Sequence, residues 1–497
     1  MSFTSQLFLF AFLPASLAAY ALAPRRARLI VITVASFIFC AWAGPLFVVP
    51  LAAVTVVDYA CSRVIARRRS DAAAAGGAGA RPRRRSRTER IALALSVASN
   101  LGLLATFKYA AFASANLDGA LAVLGLPVLG LTGALRFALP LGISFYTFQS
   151  LAHTLDVYHG RIEPARSLVE YASFLAFFPR LAAGPIVRFK DFAGQLRQPA
   201  FGPAAFARGV LTFSIGLAKK VLIANPCGTA ADFAFGAGSL AAADAWFGVL
   251  AFAFQIYFDF SGYTDMAIGI GLMFGLELPA NFDRPYCARS ITEFWRRWHI
   301  TLSNWLRDYL FLPIAYSMTR RVERFGLSPR AEEYASYVTA ALTTMALAGL
   351  WHGAAWTFVI WGLIHGAMMA IERGIGRRRL YRRLPDLAKG AITFFVVLAA
   401  WVFFRSATLA DAGRYLASLI GLGHPSPAAA LLGGVLYTPH LVVAVAAAAL
   451  LTWFGRPTRV LVEQPTPVRV SLAFALVWLS LAVLFVQSYR PFLYAVF

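Results

Sequence analysis

The sequence predicts an all-α polytopic membrane protein, and three observations carry that reading. The chain is 59% hydrophobic and only 14% charged, against roughly 45–50% and about 25% in a soluble domain. Its apolar residues fall in runs of ~16–22, close to the ~20 that cross a bilayer core as a helix. Its 46 Lys and Arg residues outnumber 23 Asp and Glu, and they crowd between those runs. That distribution is a topology signal, because cytoplasmic loops retain Lys and Arg and meet anionic lipid. On a soluble protein the same charge would suggest nucleic acid, but no nucleic-acid motif accompanies it. A closed barrel is set aside too, since its strands would alternate apolar and polar over ~10 residues.

The elements follow in order. A first span, about Gln6 to Ala23, ends at Arg25, Arg26 and Arg28. No basic stretch precedes it and no cleavage site closes it, so it reads as a retained helix. A second helix covers about Leu29 to Ala43. Trp42-Ala43-Gly44-Pro45 breaks the chain, and a third helix runs to about Ser62. Arg63–Arg90 holds ten arginines around an AAAAGGAGA centre. It is expected as a flexible cytoplasmic loop that meets lipid headgroups. Two spans separate it from Arg25–Arg28, so both basic loops lie inside and the N-terminus outside. The fourth helix, about Ile91 to Ala113, carries Asn100 and Lys108, and the charge-poor stretch to Ala138 fits the outer face. Pro140–Val157 returns to the cytoplasm. A second inside marker, Arg373–Lys389, has seven Lys and Arg, and helices near Ile392–Phe404, Leu441–Phe454 and Ser471–Val486 close the chain.

Residues 171–314 differ. Pro179, Gly184-Pro185, Pro226, Pro279 and Pro285 interrupt apolar runs that also carry charges and amides. Irregular backbone at membrane depth survives only when surrounded by protein or lining a water-filled cavity. Re-entrant and in-plane helices around a trans-bilayer tunnel are therefore expected, within one membrane domain of residues 1–497. Cys40, Cys61, Cys227 and Cys287 form no CxxC pair, and neither a disulfide framework nor a metal site is indicated.

Ionisable residues inside apolar segments are costly and mark function by default. Three clusters qualify. The first, Phe258–Asp265, places Asp259 and Asp265 in a long apolar helix. The plain structural role is pairing with arginines of the next segment. The second is Ser290–Tyr309, SITEFWRRWHITLSNWLRDY. As one helix it puts Trp295, Trp298, Leu302, Trp305 and Tyr309 on a broad face, with Arg296, His299 and Ser303 on another. Its tryptophans suit an interfacial anchor, which leaves His299 unexplained. The third is Leu350-Trp351-His352-Gly353. His352 stands between Gly349 and Gly353, where backbone can approach a ligand. A histidine in apolar surroundings is often a satisfied core residue, yet its titration near operating pH also suits general-base work.

These segments resemble the membrane-bound O-acyltransferase (MBOAT) family, within it the alginate O-acetyltransferase AlgI-like branch. Pro140–Gln149, Phe177–Ile186, Phe258–Asp265, Ser290–Tyr309 and Gly349–Gly353 carry the resemblance, which extends over nearly the whole chain. It implies an MBOAT-type helical bundle with a tunnel, His352 as the catalytic histidine and His299 as the second. Asp259, Asp265, Arg296, Ser303, Asn304, Arg307, Asp308 and Trp351 are the supporting candidates. It further implies acetyl-CoA as acyl donor with no bound cofactor, a periplasmic partner of the SGNH-hydrolase type, and a polysaccharide as final acceptor. The implied location is the bacterial inner membrane. Arg180 departs from the family pattern, where a neutral residue is expected, and the change bears on the donor side.

A thioester donor is already activated. The enzyme must deprotonate the acceptor hydroxyl or stabilise the oxyanion, with His352 as base and backbone N–H groups near Gly349 and Gly353 as donors. No GxSxG elbow supplies a serine nucleophile. Two other readings use the same features. D-alanyl transfer to teichoic acid, as in DltB relatives, shares the histidines, and a transporter shares the buried charges and broken helices.

Overall fold

The computed structural model describes residues 2–75, 85–375, 383–425, 431, 433–463 and 465–486. Among these every regular element is helical. Four helical stretches are long and apolar enough to cross a membrane: Pro45–Ser70, Arg87–Val123, Asp386–Arg405 and Pro467–Val486. Shorter apolar helices, including Arg28–Ala43 and Pro439–Phe454, accompany them. Many large apolar side chains on these helices face outward, among them Val34, Ile38, Leu95, Phe395, Phe474 and Trp478. Outward apolar surface on this scale suits lipid and not water. The all-α polytopic expectation holds.

The described chain divides into two compact units, Met1–Gly209 with Ile270–Leu278, and Val210–Gly269 with Pro279–Phe497. The first unit contains α1 (Leu13–Leu22), α2 (Arg28–Ala43), α3 (Val48–Ala75), α4 (Arg87–Leu104), α5 (Ala110–Val123), α6 (Ile143–Tyr158), α7 (Leu168–Ala176), α8 (Phe178–Leu181) and α9 (Phe189–Arg197). The chain does not leave α3 near Ser62 as expected. The helix continues to Ala75, so half of the arginine-rich stretch begins as helix; residues 76–84 lie outside the described residues. Ala and Arg rank among the best helix formers, and the composition that suggests a flexible loop is also helix-competent. α4 starts on a capping box: Glu89 N–H donates to Ser86 Oγ (3.2 Å) and Ser86 N–H to Glu89 Oε2 (2.7 Å). A buried polar knot ties α3, α4, α6 and α7. Asn100 Nδ2 donates to Asp58 Oδ2 (2.6 Å), Ser150 Oγ also reaches that oxygen, and Ser150 meets the Tyr171 hydroxyl at 2.7 Å.

In the second unit α10 (Pro203–Ala218) enters at Val210 and continues through a π turn, Lys219–Ala224, into α11 (Asn225–Gly236). The long α12 (Ala242–Met273) follows, then α13 (Ile291–Arg297), α14 (Ile300–Leu306), α15 (Leu312–Val322), α16 (Pro329–His352), α17 (Trp356–Ile375), α18 (Asp386–Arg405), α19 (Leu409–Leu419), α20 (Pro439–Phe454) and α21 (Pro467–Val486). Of the basic stretch Arg373–Lys389, residues 376–382 lie outside the described residues. α10 and α12 cross at two glycines. A Cβ on Gly216 would stand 2.6 Å from Gly262 O, and one on Gly262 would stand 2.8 Å from Gly216 O. Only glycine permits that approach.

Candidate active site

Two corrections shape the site. Ser290–Tyr309 is not one helix, and its tryptophans are not surface anchors. Ser290 caps α13 by accepting from Glu293 N–H at 3.0 Å, and Glu293 pairs with Arg297 at 2.7 Å. From α17 the buried Glu372 carboxylate accepts Ile291 N–H (2.6 Å), Thr292 N–H (3.0 Å) and Thr292 Oγ1–H (2.6 Å). The helix then breaks at Trp298. His299 adopts φ 42° and ψ 53°, and is one of two non-glycine residues with positive φ among those described. α14 starts beyond it. The break cancels the expected common face of Arg296, His299 and Ser303. Trp295, Trp298, Leu302 and Trp305 are buried in the core of this unit, because the break turns the aromatic face inward.

A left-handed conformation costs a residue with a Cβ of order 1–3 kcal/mol and persists where the surroundings over-determine it. Asn281 does so here. Its carbonyl accepts Ile300 N–H at 2.9 Å, and its Oδ1 accepts Thr301 N–H (3.2 Å), Thr301 Oγ1–H (2.9 Å) and His299 Nδ1 (3.1 Å). The amide orientation is fixed by the Thr301 backbone, since an N–H can only donate and must meet oxygen. His299 Nδ1 therefore carries the proton in the neutral ring, and Nε2 keeps the lone pair. Asn281 is a residue of the candidate site, holding His299 in place, that the sequence reading misses.

His352 ends α16 and is 2% exposed. Ring centroids of Trp351, Trp361 and Phe404 lie 4.8, 5.1 and 5.3 Å from its own. The flanking glycines serve packing, contrary to expectation. A Cβ on Gly349 would stand 2.1 Å from Phe358 O, and one on Gly353 would stand 2.1 Å from the Phe358 ring. The close approach is to α17. Gly353 N–H is already spent on Gly349 O (3.2 Å), so it is not the expected oxyanion donor. His299 joins through Trp351, with ring centroids 6.3 Å apart. His299, Trp351 and His352 are thus one contiguous group of rings.

Asp259 and Asp265 pair with lysines of the π turn and not with later arginines. Lys220 meets Asp259 at 2.5 Å, both buried. Lys219 meets Asp265 at 2.6 Å, and Thr458 Oγ1 donates to the same carboxylate at 2.7 Å. The adjacent Lys219-Lys220 pair in an apolar run is the available signal. The neighbour of Asp259, Phe260, packs edge-on to His299 at 4.7 Å. Ser303 Oγ donates to Trp298 O at 3.2 Å, half-buried Asn304 lies on α14, and Arg307 pairs with its neighbour Asp308 at 2.7 Å. Arg296 lines a cavity of ≈ 560 Å³ with Asp283, Arg289, Ser290, Glu293, Arg297, Asp386 and Lys389.

Arg180, in the first unit, is fully buried between Phe174 and Phe192, its guanidinium carbon 4.6 and 5.0 Å from their centroids.

The chain is similar to known proteins over most of its length. Residues 163–409 match the MBOAT, membrane-bound O-acyltransferase family. A Pseudomonas aeruginosa protein named "Probable alginate O-acetylase AlgI" is 40% identical over 85% of this chain and 75% of its own length. Its Pseudomonas putida namesake is 38% identical over 99% of both chains. A Helicobacter pylori "Peptidoglycan O-acetyltransferase" is 34% identical over 84% of this chain and 80% of its own. Two histidines held in one aromatic group, in a helical chain similar to these enzymes over most of its length, mark an O-acyltransferase, and the chain belongs to the membrane-bound O-acyltransferase family.

Proposed function

We propose that this enzyme takes an acetyl group from acetyl-CoA at the cytoplasmic face of the inner membrane. It passes the group through a tunnel for O-acetylation of an alginate-like envelope polysaccharide. The similarity to proteins named for alginate and peptidoglycan O-acetylation supports acetyl as the group and a polysaccharide as final acceptor. The observation that carries the chemical reading is the pair of buried imidazoles on one indole, with the tautomer of His299 set by Asn281.

His352 acts as general base, a role that contributes about 10²–10⁴-fold. It takes the proton of the acceptor hydroxyl as the oxygen attacks the thioester carbon. The C–S bond then breaks, and the proton passes to the departing thiolate, so ester and thiol are formed in equal number. His299, with its Nε2 lone pair, orients the donor thiol end. A periplasmic partner of the SGNH-hydrolase type completes transfer to the polymer.

Membranes containing the enzyme, the partner and de-acetylated polymer, given acetyl-labelled acetyl-CoA, should move label into alkali-labile esters of the polymer. Label that stays in the thioester pool while labelled D-alanine reaches polymer would replace acetyl by D-alanyl transfer. An intact solute crossing the membrane with no ester formed would leave a transporter.

A further inference from the structure

His365 on α17, which the reaction above does not use, shares a ring contact, Trp361, with His352. It is fully buried, like Trp361 on the same helix, and Trp295 of α13 is 6% exposed. The three rings touch one another: Trp295–His365 5.3 Å, Trp361–His365 5.1 Å and Trp295–Trp361 5.7 Å between centroids. Neither ring nitrogen of His365 has a hydrogen-bond partner among the described residues, nor does either indole N–H of Trp295 and Trp361. Two other tryptophans of this unit find theirs. Trp401 Nε1 donates to the Tyr286 hydroxyl and Trp246 Nε1 to Leu419 O, both at 3.0 Å. A buried donor left unpaired costs the full desolvation of the group. Here two such indoles and an imidazole lie in mutual contact.

The chemistry of the set defines what would satisfy it. An indole N–H only donates, so its missing partner is an acceptor. The walls are aromatic, which disfavours a ligand with full charge in its ground state. A carbonyl oxygen meets both conditions, and as it becomes an oxyanion it gains most from fixed donors in a dry site. The location fits as well. Trp361 contacts the rings of both His365 and His352, the latter at 5.1 Å. The glycine backbone beside His352, by contrast, has its Gly353 N–H committed to Gly349 O.

We propose that Trp295, Trp361 and His365 form the carbonyl pocket for the transferred acyl group, holding its oxygen as charge develops beside His352. The proposal rests on the donor reading above. When the acceptor oxygen bonds to the acyl carbon, the C=O π pair moves onto oxygen and is held by these N–H groups. It returns as the C–S bond breaks and thiolate leaves. His365 donates from one nitrogen to the acyl oxygen.

The test uses the full-length enzyme in detergent and two inert coenzyme A thioethers, S-acetonyl, which keeps a carbonyl, and S-propyl, which lacks it. Trp361→Phe and Trp295→Phe keep a ring and remove an N–H. Each should lower kcat for acetyl transfer about tenfold or more, loss of one oxyanion donor costing up to ~10³-fold. KM should change little, and the preference for the S-acetonyl analogue should fall several-fold. His365→Asn, which keeps a donor, should retain more of that preference than His365→Phe. Variants with wild-type kcat and wild-type discrimination would overturn the pocket while leaving the donor reading intact. Wild-type enzyme that binds neither analogue would overturn the donor reading and the pocket with it.

Discussion

Asn281 Oδ1 stands 3.1 Å from His299 Nδ1 and also receives the Thr301 backbone N–H. One side-chain oxygen therefore sets the ring's tautomer and holds the left-handed turn that presents it. Asn281→Ala removes the three hydrogen bonds that Oδ1 accepts and should reduce acetyl transfer by roughly 10–100-fold or more, at about 1 kcal/mol net per bond and about 1.4 kcal/mol per tenfold. Asn281→Asp keeps an acceptor for Nδ1–H and should retain more activity than the alanine variant at equal protein level. Equal turnover in wild type and Asn281→Ala would remove Asn281 from the machinery.

His352→Ala should lose ~10²–10⁴-fold in transfer, the usual contribution of a general base, while the protein inserts at normal abundance. O-acetyl content of the polymer, read beside the amount of solubilised enzyme, measures both. Normal acetylation would take His352 out of the reaction.

Lys220 and Asp259 form a buried pair beside the Gly216–Gly262 crossing of α10 and α12. Breaking one partner of such a pair strands the other charge and costs about 3–5 kcal/mol. Lys220→Met and Asp259→Asn should each lower the thermal midpoint markedly, and Lys220→Met with Asp259→Leu should recover much of the loss. A double variant as unstable as the sum of its singles would mean that the two charges act independently.

Arg180 carries no hydrogen bond from its side-chain nitrogens among the described residues, and two phenyl rings are its compensation. Cation–π attraction is worth about 2 kcal/mol or somewhat more in a desolvated site. Burying the charge costs several. The desolvation penalty outweighs the attraction, so Arg180→Met should raise the thermal midpoint. A lower midpoint would show that the guanidinium has a stabilising role the two rings do not account for.

The spans are legible in the sequence because apolar length and basic loops are long-range averages that a linear chain displays directly. α2, α6, α20 and α21 begin within four residues of their expected starts, and α18 begins six residues before its own. His299 and His352 are legible as ionisable groups out of place. Local geometry is not legible in the same way. The sequence around His299 repeats aromatic residues at helical spacing, and nothing in it announces the break, because the break is imposed by Asn281 from eighteen residues upstream. Gly349 and Gly353 suggest room for a ligand, whereas Phe358 occupies that room. His365 carries a signal of its own, an ionisable group inside an apolar helix, but no motif sets it apart until the fold brings Trp295 against it.

Sidedness is the remaining prediction, since transfer across the bilayer separates this reading from chemistry on one face. α17 has 20 residues, a rise of about 30 Å at 1.5 Å per residue, which matches the thickness of a hydrocarbon core in length although the helix is less apolar than the four spanning stretches. His352 precedes its N-terminal end, and the basic stretch Arg373–Lys389 follows its C-terminal end. Lys and Arg in short loops hold that second end inside, so His352 should face the outer side. Single cysteines test this in a background without Cys40, Cys61, Cys227 and Cys287. Ala355→Cys, before α17, should react with an impermeant thiol reagent in intact spheroplasts. Leu387→Cys, at a position 86% exposed near the start of α18, should react only after the membrane is opened. Labelling of Leu387→Cys in intact spheroplasts would invert the topology. His352 would then lie toward the donor's side, and acceptor attack from the outer face would have to be abandoned.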